Sequence, residues 1–192
     1  MPAATLKNRR PVFTNSRFTV YSDHIAADSL EVPDFMVVKP HTSRADLMTG
    51  VAVVAVREDS ILLLNHYRHP VGQDVWELPR GFIDLGEEPP DAARRELSEE
   101  SGLFCRPEDL VSLGTFLPDP GILQARVALF AARNCVEGSR VDDEIGIQER
   151  VWLPQVAVYD MLLNGSIVEG STCVALHRYL ELRRLERNHE SV

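Results

Sequence analysis

The chain has 192 residues, a formal net charge of −9 at pH 7 and an ordinary hydrophobic content of 44%. This length suits one domain with a sizeable core, together with a small appendage. The acidic charge argues against nonspecific nucleic-acid binding, because an acidic surface repels phosphates. No apolar run reaches the length of a membrane span and no signal peptide opens the chain. We therefore expect a cytoplasmic protein that binds neither nucleic acid nor membranes.

The cysteine content points to the same compartment. The three cysteines, Cys105, Cys135 and Cys173, are odd in number, far apart and not arranged as metal-binding pairs. We interpret them as reduced and buried, which is typical of proteins in a reducing environment.

The first forty residues predict a loose segment followed by short strands. Residues 1–11 are polar, with a short basic cluster at 7–10, and are predicted to be a loose N-terminal segment. Residues 18–21 and 35–38 are rich in β-branched and aromatic side chains and predict strands, and residues 23–34 between them carry turn-like residues. Such a meander is too small to bury its own face, so we expect it to pack on the main domain or on another subunit.

A polar linker precedes the first strand of the main domain. Residues 40–49 are polar, whereas residues 51–56 form a continuous apolar run that suits a strand covered on both faces. A short turn leads to a second apolar run at 61–64, which predicts a hairpin. We therefore divide the chain into an N-terminal β segment at 1–45 and a main domain at 46–192.

The chain after residue 110 mixes strands and helices. Short β-rich apolar runs predict the strands, and longer segments with apolar residues at helical spacing predict the helices. Proline, glycine and acidic residues mark the connections. The predicted elements are strands at 110–117, 127–132 and 151–153, a turn at 118–121, an acid-rich loop at 137–149, and helices at 154–163 and 171–186.

Residues 81–103 contain a predicted helix with well-marked ends. Pro89 and Pro90 come where proline is tolerated at a helix start, and Gly102 follows the helix, where glycine closes it in the left-handed conformation.

Three carboxylates share one face of this predicted helix. At about 100° per residue, Glu96, Glu99 and Glu100 lie close together. Their mutual repulsion costs about a few tenths of a kcal/mol per pair on a surface helix. A hard divalent cation such as Mg²⁺ or Mn²⁺ would remove this cost, since carboxylate oxygens suit such ions. The alternative is an acidic face that contacts only water, the usual situation of charge runs.

The spacing of this stretch resembles the Nudix box at every defined position. Gly81 is followed after five residues by Glu87, and after seven more by Arg95-Glu96-Leu97-x-Glu99-Glu100-x-Gly102-Leu103. The resemblance implies a metal-dependent hydrolase that cleaves a diphosphate linked to a nucleoside and a further group. It also implies an α+β fold, the Nudix α/β/α sandwich with a mixed sheet, preceded by a small N-terminal β meander.

The flanks are similar to those of the ADP-ribose pyrophosphatase branch of this family. They comprise Tyr67-Arg68-x-Pro70, Glu77-Leu78-Pro79-x-Gly81 and Pro120-Gly121. The branch implies hydrolysis of ADP-ribose to AMP and ribose 5-phosphate. It also implies a homodimer in which the N-terminal meander takes part.

Departures from the branch keep other substrates open. Arg80 stands where the branch often has alanine, the usual acidic residue is missing from the positions after Gly121, and Arg126 stands where an apolar residue is commoner. Another nucleoside diphosphate sugar, such as GDP-mannose or ADP-glucose, is therefore an alternative substrate. Further alternatives are a noncatalytic sensor of an ADP-ribose-type ligand and a hydrolase of RNA caps or dinucleoside polyphosphates. The retained carboxylates argue against the sensor.

The resemblance assigns the metal ligands, with Mg²⁺ or Mn²⁺ as the cofactor. They are Glu96, Glu99, Glu100 and the backbone carbonyl of Arg80. Bound metal would neutralise charge on the diphosphate and lower the pKa of a water. A carboxylate would then take a proton from that water. Arg95 is expected to orient the carboxylates by a salt bridge, and we place it with the catalytic residues.

The general base is left between two places. It is either a carboxylate of the box, Glu99 or Glu100, or an acidic side chain of the later loop. The loop candidates are Glu144, with Asp142 and Asp143 beside it, and Glu149. The alternative for residues 142–144 is a solvated turn.

The candidate substrate-binding residues are Arg68, Glu77, Pro120 and Gly121. Arg68 either grips the diphosphate or ribose, as arginine does in a two-pronged manner, or forms a structural salt bridge. Glu77 either binds a ribose hydroxyl or a metal, or pairs with an arginine. Glu87 is expected to bind metal through water or to hold the geometry between loop and helix.

Overall fold

The structure is a computed structural model that describes residues 4–138 and 145–190. The chain divides into two compact units. The first unit comprises Met1–Thr49 and Leu117–Arg126, and the second comprises Gly50–Phe116 and Val127–Val192. Within the described residues, no helix has both the length and the apolar character needed to cross a membrane.

The first unit contains a three-stranded antiparallel meander. Its strands are β1 (Thr5–Thr14), β2 (Phe18–Ala27) and β3 (Leu30–Pro40), in that order across the sheet. The strands are longer than predicted, and the turn expected at 23–34 is confined to residues 28–29, where Asp28 has φ 52°. The turn-like residues of 23–34 were misleading because Glu31 and Asp34 occupy exposed strand positions, which tolerate polar side chains, and because the buried Asp23 is paired with Arg9.

The prediction that residues 1–11 form a loose segment is wrong from Thr5 onward. Strand β1 pairs with β2 along its whole length, from Thr5 opposite Ala26 to Thr14 opposite Thr19. Its side chains are all exposed, so backbone hydrogen bonds rather than apolar burial hold it. Arg9 adds an ion pair, 2.6 Å long, to the buried Asp23 of β2.

A second segment of the first unit carries the Pro120-Gly121 turn. The N–H of Val38 donates to the carbonyl of Ile122 at 2.8 Å, and the N–H of Gln124 donates back to the carbonyl of Val38 at 2.9 Å. These bonds attach residues 117–126 to the end of β3. The division at residue 45 stays a prediction.

The second unit is built on a mixed sheet with helices. Its elements are β4 Met48–Arg57, β5 Ser60–Arg68, β6 Gln73–Glu77, β7 Arg80–Phe82, α1 Pro89–Ser101, β8 Leu103–Phe104, a 3₁₀ turn Pro107–Asp109, β9 Leu110–Phe116, β10 Arg126–Ala132, β11 Val136–Glu137, β12 Ile147–Pro154, α2 Gln155–Leu163 and α3 Gly170–Glu190.

The order of the central strands is β12-β5-β4-β10-β9, with β6 on β5 and β7 on β4. Strand β8 pairs with β11 as a separate ribbon. The predicted α+β class, with a mixed sheet and a preceding meander, is confirmed.

Strand β4 is buried on both faces, as its continuous apolar run predicts. Ala52, Val54 and Val56 belong to one core cluster with side chains of α2 and α3. The alternate residues of the strand, among them Val51 and Val53, point to the opposite face and are also fully buried. The predicted hairpin from β4 to β5, the strands at 110–117 and 127–132 and both C-terminal helices are confirmed, whereas the strand predicted at 151–153 is longer.

The three cysteines are free thiols. Cys105 and Cys135 are buried, as predicted, and Cys173 is half-buried.

Candidate active site

The site is built on helix α1 and strand β7. Helix α1 has its two prolines in the first turn and ends at Gly102, which has φ 72° and donates its N–H to the carbonyl of Ser98. The predicted start and stop of this helix are therefore confirmed. The helix carries five buried residues, and two of them are the carboxylates Glu96 and Glu100.

Glu96 lies directly against the strand at Gly81. A Cβ atom at Gly81 would overlap the carboxyl group of Glu96. Gly81 does not have a positive φ. This position therefore requires a residue without a side chain, and not an unusual backbone conformation. The glycine makes the space in which a buried carboxylate, only 8% exposed, meets the strand.

Glu100 is held by the backbone of Arg80. The N–H of Arg80 donates to Oε2 of Glu100 at 2.9 Å, and Glu100 is 2% exposed. Arg80 faces Ala52 of β4, next to a position where Val53 donates its N–H to the carbonyl of Pro79. Because antiparallel pairs alternate between bonded and non-bonded positions, the N–H and C=O of Arg80 point away from β4. The carbonyl of Arg80 is thus directed to the same side of the strand as its N–H, the side of Glu100.

Arg95 connects three carboxylates of the box. Its Nη1 donates to Glu96 at 2.8 Å and to Glu99 at 2.9 Å, and its Nε and Nη2 donate to Glu87 at 3.0 and 2.9 Å. A further bond from Nη2 to the carbonyl of Phe82 ties the arginine to β7. The hydrogen bond to Glu87 is the largest cause that raises the pKa of Arg95, and the same bond lowers the pKa of Glu87. Arg95 therefore offsets the repulsion among the carboxylates and sets their orientation.

The donor set fits a hard divalent cation. Across residues 4–138 and 145–190, no three His, Cys, Asp or Glu side chains form a ready-made metal cage. Mg²⁺ does not require one, since it keeps several waters and takes further oxygens from substrate phosphates. Two buried carboxylates, Glu96 and Glu100, with Glu99 beside them and the carbonyl of Arg80 directed to the same place, offer oxygen ligands of the kind that this ion takes.

A second charged cluster contains the side chain of Arg80. Nε of Arg68 donates to both carboxylate oxygens of Glu77, at 2.9 and 3.1 Å, and Glu77 is 1% exposed. Nη1 of Arg80 lies 3.8 Å from Glu77 and 2.6 Å from Glu169. Positive and negative groups therefore alternate in the order Arg68, Glu77, Arg80, Glu169.

Glu169 was missed by sequence reasoning. It lies just before α3. Its carboxylate accepts hydrogen bonds from Ser171 and Thr172 and so caps the start of that helix. Burial raises the pKa of Glu169, but Arg80 and these hydrogen bonds together lower it by more, so the net shift of the pKa is downward. The available signal was an acidic residue followed by Gly-Ser-Thr at a predicted helix start.

The remaining candidates belong to other segments of the chain. Pro120 and Gly121 belong to the first unit, where the N–H of Gly121 donates to Oδ1 of Asp119 at 3.2 Å. Glu144, together with 142 and 143, lies outside the described residues. Glu149 is an exposed residue of β12 opposite Asn65.

Comparison with known proteins identifies the family of this chain. The family model for the NUDIX domain matches residues 46–166. The CMP-5'-(N-acetyl-N-hydroxy-3-aminopropyl)phosphonate hydrolase of Streptomyces rubellomurinus is 31% identical over 89% of this chain and 80% of its own length. The ADP-ribose pyrophosphatase of Bacillus subtilis is 31% identical over 70% of this chain and 72% of its own. That of Mycobacterium tuberculosis is 35% identical over 63% of this chain and 59% of its own.

A solved structure shows the same fold. The crystal structure of an ADP compounds hydrolase superposes with a TM-score of 0.82 and covers 97% of both chains, at 22% sequence identity. The predicted Nudix sandwich is therefore confirmed. The chain belongs to the NUDIX domain family, in the ADP-ribose pyrophosphatase branch, and is a Nudix pyrophosphatase.

Proposed function

We propose that the protein hydrolyses the diphosphate of ADP-ribose to AMP and ribose 5-phosphate, with Mg²⁺ or Mn²⁺ as its cofactor. The observation that carries the proposal is the pair of buried carboxylates, Glu96 and Glu100, held against β7 at Gly81 and Arg80. Buried carboxylates are costly unless a cation or hydrogen bonds offset their charge. The relatives that are named ADP-ribose pyrophosphatases support the substrate.

The proposed metal ligands are Glu96, Glu99, Glu100 and the carbonyl of Arg80. When bound, the divalent ion neutralises charge on the diphosphate and lowers the pKa of a water molecule. The Arg80 N–H holds one oxygen of Glu100, and this bond fixes the direction of the carboxylate. Arg95 does the same for Glu96 and Glu99 through its Nη1.

A carboxylate of the site can take the proton from the attacking water. Glu99 is the first candidate, because its side chain is 21% exposed, against 11% for that of Glu96. Glu100 and Glu144 remain proposed alternatives.

Substrate binding is assigned to Arg68, Glu77, Pro120 and Gly121. The side chain of Glu77 is 2% exposed and is bonded to Arg68, so we propose that Glu77 acts by orienting that arginine. The guanidinium of Arg68, which is 29% exposed, then contacts the diphosphate or the ribose. Pro120 and Gly121 are proposed from the sequence pattern alone.

Another nucleoside diphosphate sugar is the second candidate substrate. Two observations favour it. Arg80 stands where alanine is common in the branch, and the Streptomyces relative is named for a CMP-linked phosphonate. GDP-mannose and ADP-glucose are the compounds to compare.

The substrate is tested by phosphate release from a panel of diphosphates. Purified protein with Mg²⁺ is supplied with ADP-ribose, GDP-mannose, ADP-glucose, NADH and a diadenosine polyphosphate, and a phosphatase then releases phosphate from the products. Selective turnover of ADP-ribose is expected. A preference for another nucleotide sugar would replace the substrate, and tight binding without turnover would indicate a sensor.

We also propose that the protein is a homodimer that uses its N-terminal meander. Large apolar side chains on β1 and β3 are exposed, among them Phe13 at 59% and Leu30 at 70%. A three-stranded sheet with such exposed side chains gains stability from an apolar partner. Light scattering should give the mass of a dimer for the whole chain and of a monomer or an aggregate after removal of residues 1–40. A dimer of unchanged size would contradict the role of the meander.

A further inference from the structure

The start of helix α3 makes two separate contacts with the segment that precedes Gly81. The carboxylate of Glu169 forms an ion pair, 2.6 Å long, with Nη1 of Arg80. Two residues earlier in the same segment, the N–H of Leu78 donates to Oγ1 of Thr172 at 3.1 Å. Both contacts join residues about ninety positions apart in sequence, so they are made only in the folded unit.

Glu169 caps its own helix while it binds Arg80. Its Oε2 accepts the N–H and the hydroxyl of Thr172, each at 2.8 Å, and its Oε1 accepts the N–H of Ser171 at 3.1 Å. These bonds fix the carboxylate in one orientation. The guanidinium of Arg80 therefore pairs with a carboxylate whose position is fixed by hydrogen bonds to the start of α3.

Each of residues 78–80 forms a backbone hydrogen bond with a different element. Thr172 accepts the N–H of Leu78, and Val53 donates to the carbonyl of Pro79 at 2.9 Å. The N–H of Arg80 donates to Glu100. The tripeptide is thus fastened to α3, β4 and α1 at successive residues, and the carbonyl of Arg80 is positioned by these bonds.

The side chain of Arg80 lies on the opposite face of β7 from Glu96. Successive residues of a strand point to opposite faces, and Glu96 occupies the face to which a Cβ of Gly81 would point. The guanidinium of Arg80 is therefore directed away from Glu96. The arginine that donates to Glu96 and Glu99 is Arg95, through its Nη1.

We propose that Glu169 is a positioning residue that acts through Arg80. By holding the guanidinium on one face of β7, it keeps the backbone of Arg80 in place, with its N–H on Glu100 and its carbonyl beside that carboxylate. The inference rests on the proposed function in one respect, namely that these oxygens bind a divalent metal. The competing explanation is that Glu169 only caps α3 and that its contact with Arg80 has no effect on the site.

A double-mutant cycle on the whole chain separates the two explanations. Glu169→Gln keeps the size of the side chain and one oxygen that can accept the capping bonds from Thr172. It loses the charge that binds Arg80, and its amide NH2 group no longer accepts the N–H of Ser171. Arg80→Met breaks the same ion pair from the other end and leaves the cap untouched. Interacting residues give non-additive effects, and independent residues give additive ones.

The readout is the dissociation constant for Mn²⁺ alone, measured by electron paramagnetic resonance or calorimetry without any substrate. Each single change should weaken Mn²⁺ binding by about 10-fold to 100-fold, as is usual for residues that orient metal ligands. The double variant should bind Mn²⁺ no more weakly than Arg80→Met. Glu181→Gln removes one charge from the exposed surface of the same helix, where Glu181 pairs with Arg184, and should leave Mn²⁺ binding unchanged.

Two results would overturn the inference. The first is wild-type Mn²⁺ affinity in Arg80→Met, a result that counts even if Glu169→Gln fails to fold. The second is a double variant in which the two losses multiply. Failure of the proposed function looks different, because wild-type protein would then bind no Mn²⁺, or would bind Mn²⁺ and hydrolyse no diphosphate.

Discussion

The N–H of Arg80 and the carboxylate of Glu100 are joined by a 2.9 Å hydrogen bond, which connects the start of β7 to the last turn of α1. Glu100 is almost completely buried, so this bond is one of the interactions that offset the cost of its charge. In an extended strand the N–H and the carbonyl of one residue point to the same side, so the carbonyl of Arg80 is also directed toward the helix. One contact thus sets the direction of two proposed metal ligands.

The first prediction concerns Glu100 itself. Glu100→Gln retains an oxygen that accepts the Arg80 N–H, so the fold should persist, but the charge that binds the metal is lost. Changes to residues that merely orient a metal ligand cost up to about 100-fold, so this change should lower kcat/KM by more than that. Circular dichroism and steady-state kinetics with ADP-ribose measure both effects. Glu181→Gln, an exposed change of the same type, is the matched control, and near-normal activity of Glu100→Gln would refute the metal assignment.

The second prediction compares two glycines. Gly81→Ala places a methyl group on the carboxyl group of Glu96, the flexible end of a side chain. The carboxylate should move while the fold is retained, so activity should fall far more than stability. Gly165 shows the reverse situation, since it has φ 78° and open space around it. Gly165→Ala should cost about 1–2 kcal/mol of unfolding free energy and leave kcat/KM unchanged.

Denaturant unfolding and kinetics on both glycine variants provide the measurement. Equal losses of stability and activity in the two variants would mean that Gly81 does not make space for Glu96.

The third prediction is a pH dependence that comes from Glu87. Its hydrogen bond with Arg95 lowers the pKa of Glu87 below its ordinary value of 4.5. The ion pair therefore stabilises the fold fully above that value, and the contribution is lost as the pH falls through the lower pKa of the folded state. Denaturant unfolding of metal-free protein should show that Glu87→Gln loses stability relative to wild type at pH 7 and loses less at pH 3. If wild type and Glu87→Gln differ by the same unfolding free energy at pH 7 and at pH 3, the assignment is contradicted.

The fourth prediction concerns Arg68 and Glu77. Arg68→Met leaves the buried carboxylate of Glu77 with the guanidinium of Arg80, 3.8 Å away. Because Arg68 is itself partly exposed, the loss should be about 2 kcal/mol, below the usual cost of breaking a buried pair. The pair of Arg94 and Asp91 is the control, because its carboxylate is 60% exposed whereas that of Glu77 is buried. Arg94→Met should cost less than about 1 kcal/mol.

The double variant Arg68→Met with Glu77→Gln separates structure from substrate binding. Stability should recover, since no unpaired buried charge remains. KM for ADP-ribose should stay raised if Arg68 contacts the substrate, as proposed. Full recovery of KM would mean that the arginine serves only the fold.

The helix and its carboxylates could be predicted because their information is local. Pro89, Gly102 and the spacing of Glu96 and Glu100 all lie within one short stretch, and helical periodicity converts that spacing into a shared face. The continuous apolar run of β4 likewise has one simple explanation, a strand buried on both faces.

Other parts depend on contacts between distant segments. Strand β1 has exposed side chains throughout, so hydrophobic alternation carries no signal for it, and only its pairing with β2 reveals a strand. Arg80 was recognised as a departure from the branch, but its partner Glu169 lies 89 positions away in the chain. No periodicity links such positions, and a fold is needed to bring them together.

The most direct test of the central claim is product identification with ADP-ribose. Purified protein is incubated with ADP-ribose and Mg²⁺, and the products are separated by ion-exchange chromatography, with parallel reactions that contain a chelator or the Glu100→Gln variant. We predict AMP and ribose 5-phosphate in equal amounts, formed only by wild-type protein with the metal. Intact ADP-ribose in every reaction, or products that form equally in the presence of the chelator, would contradict the claim.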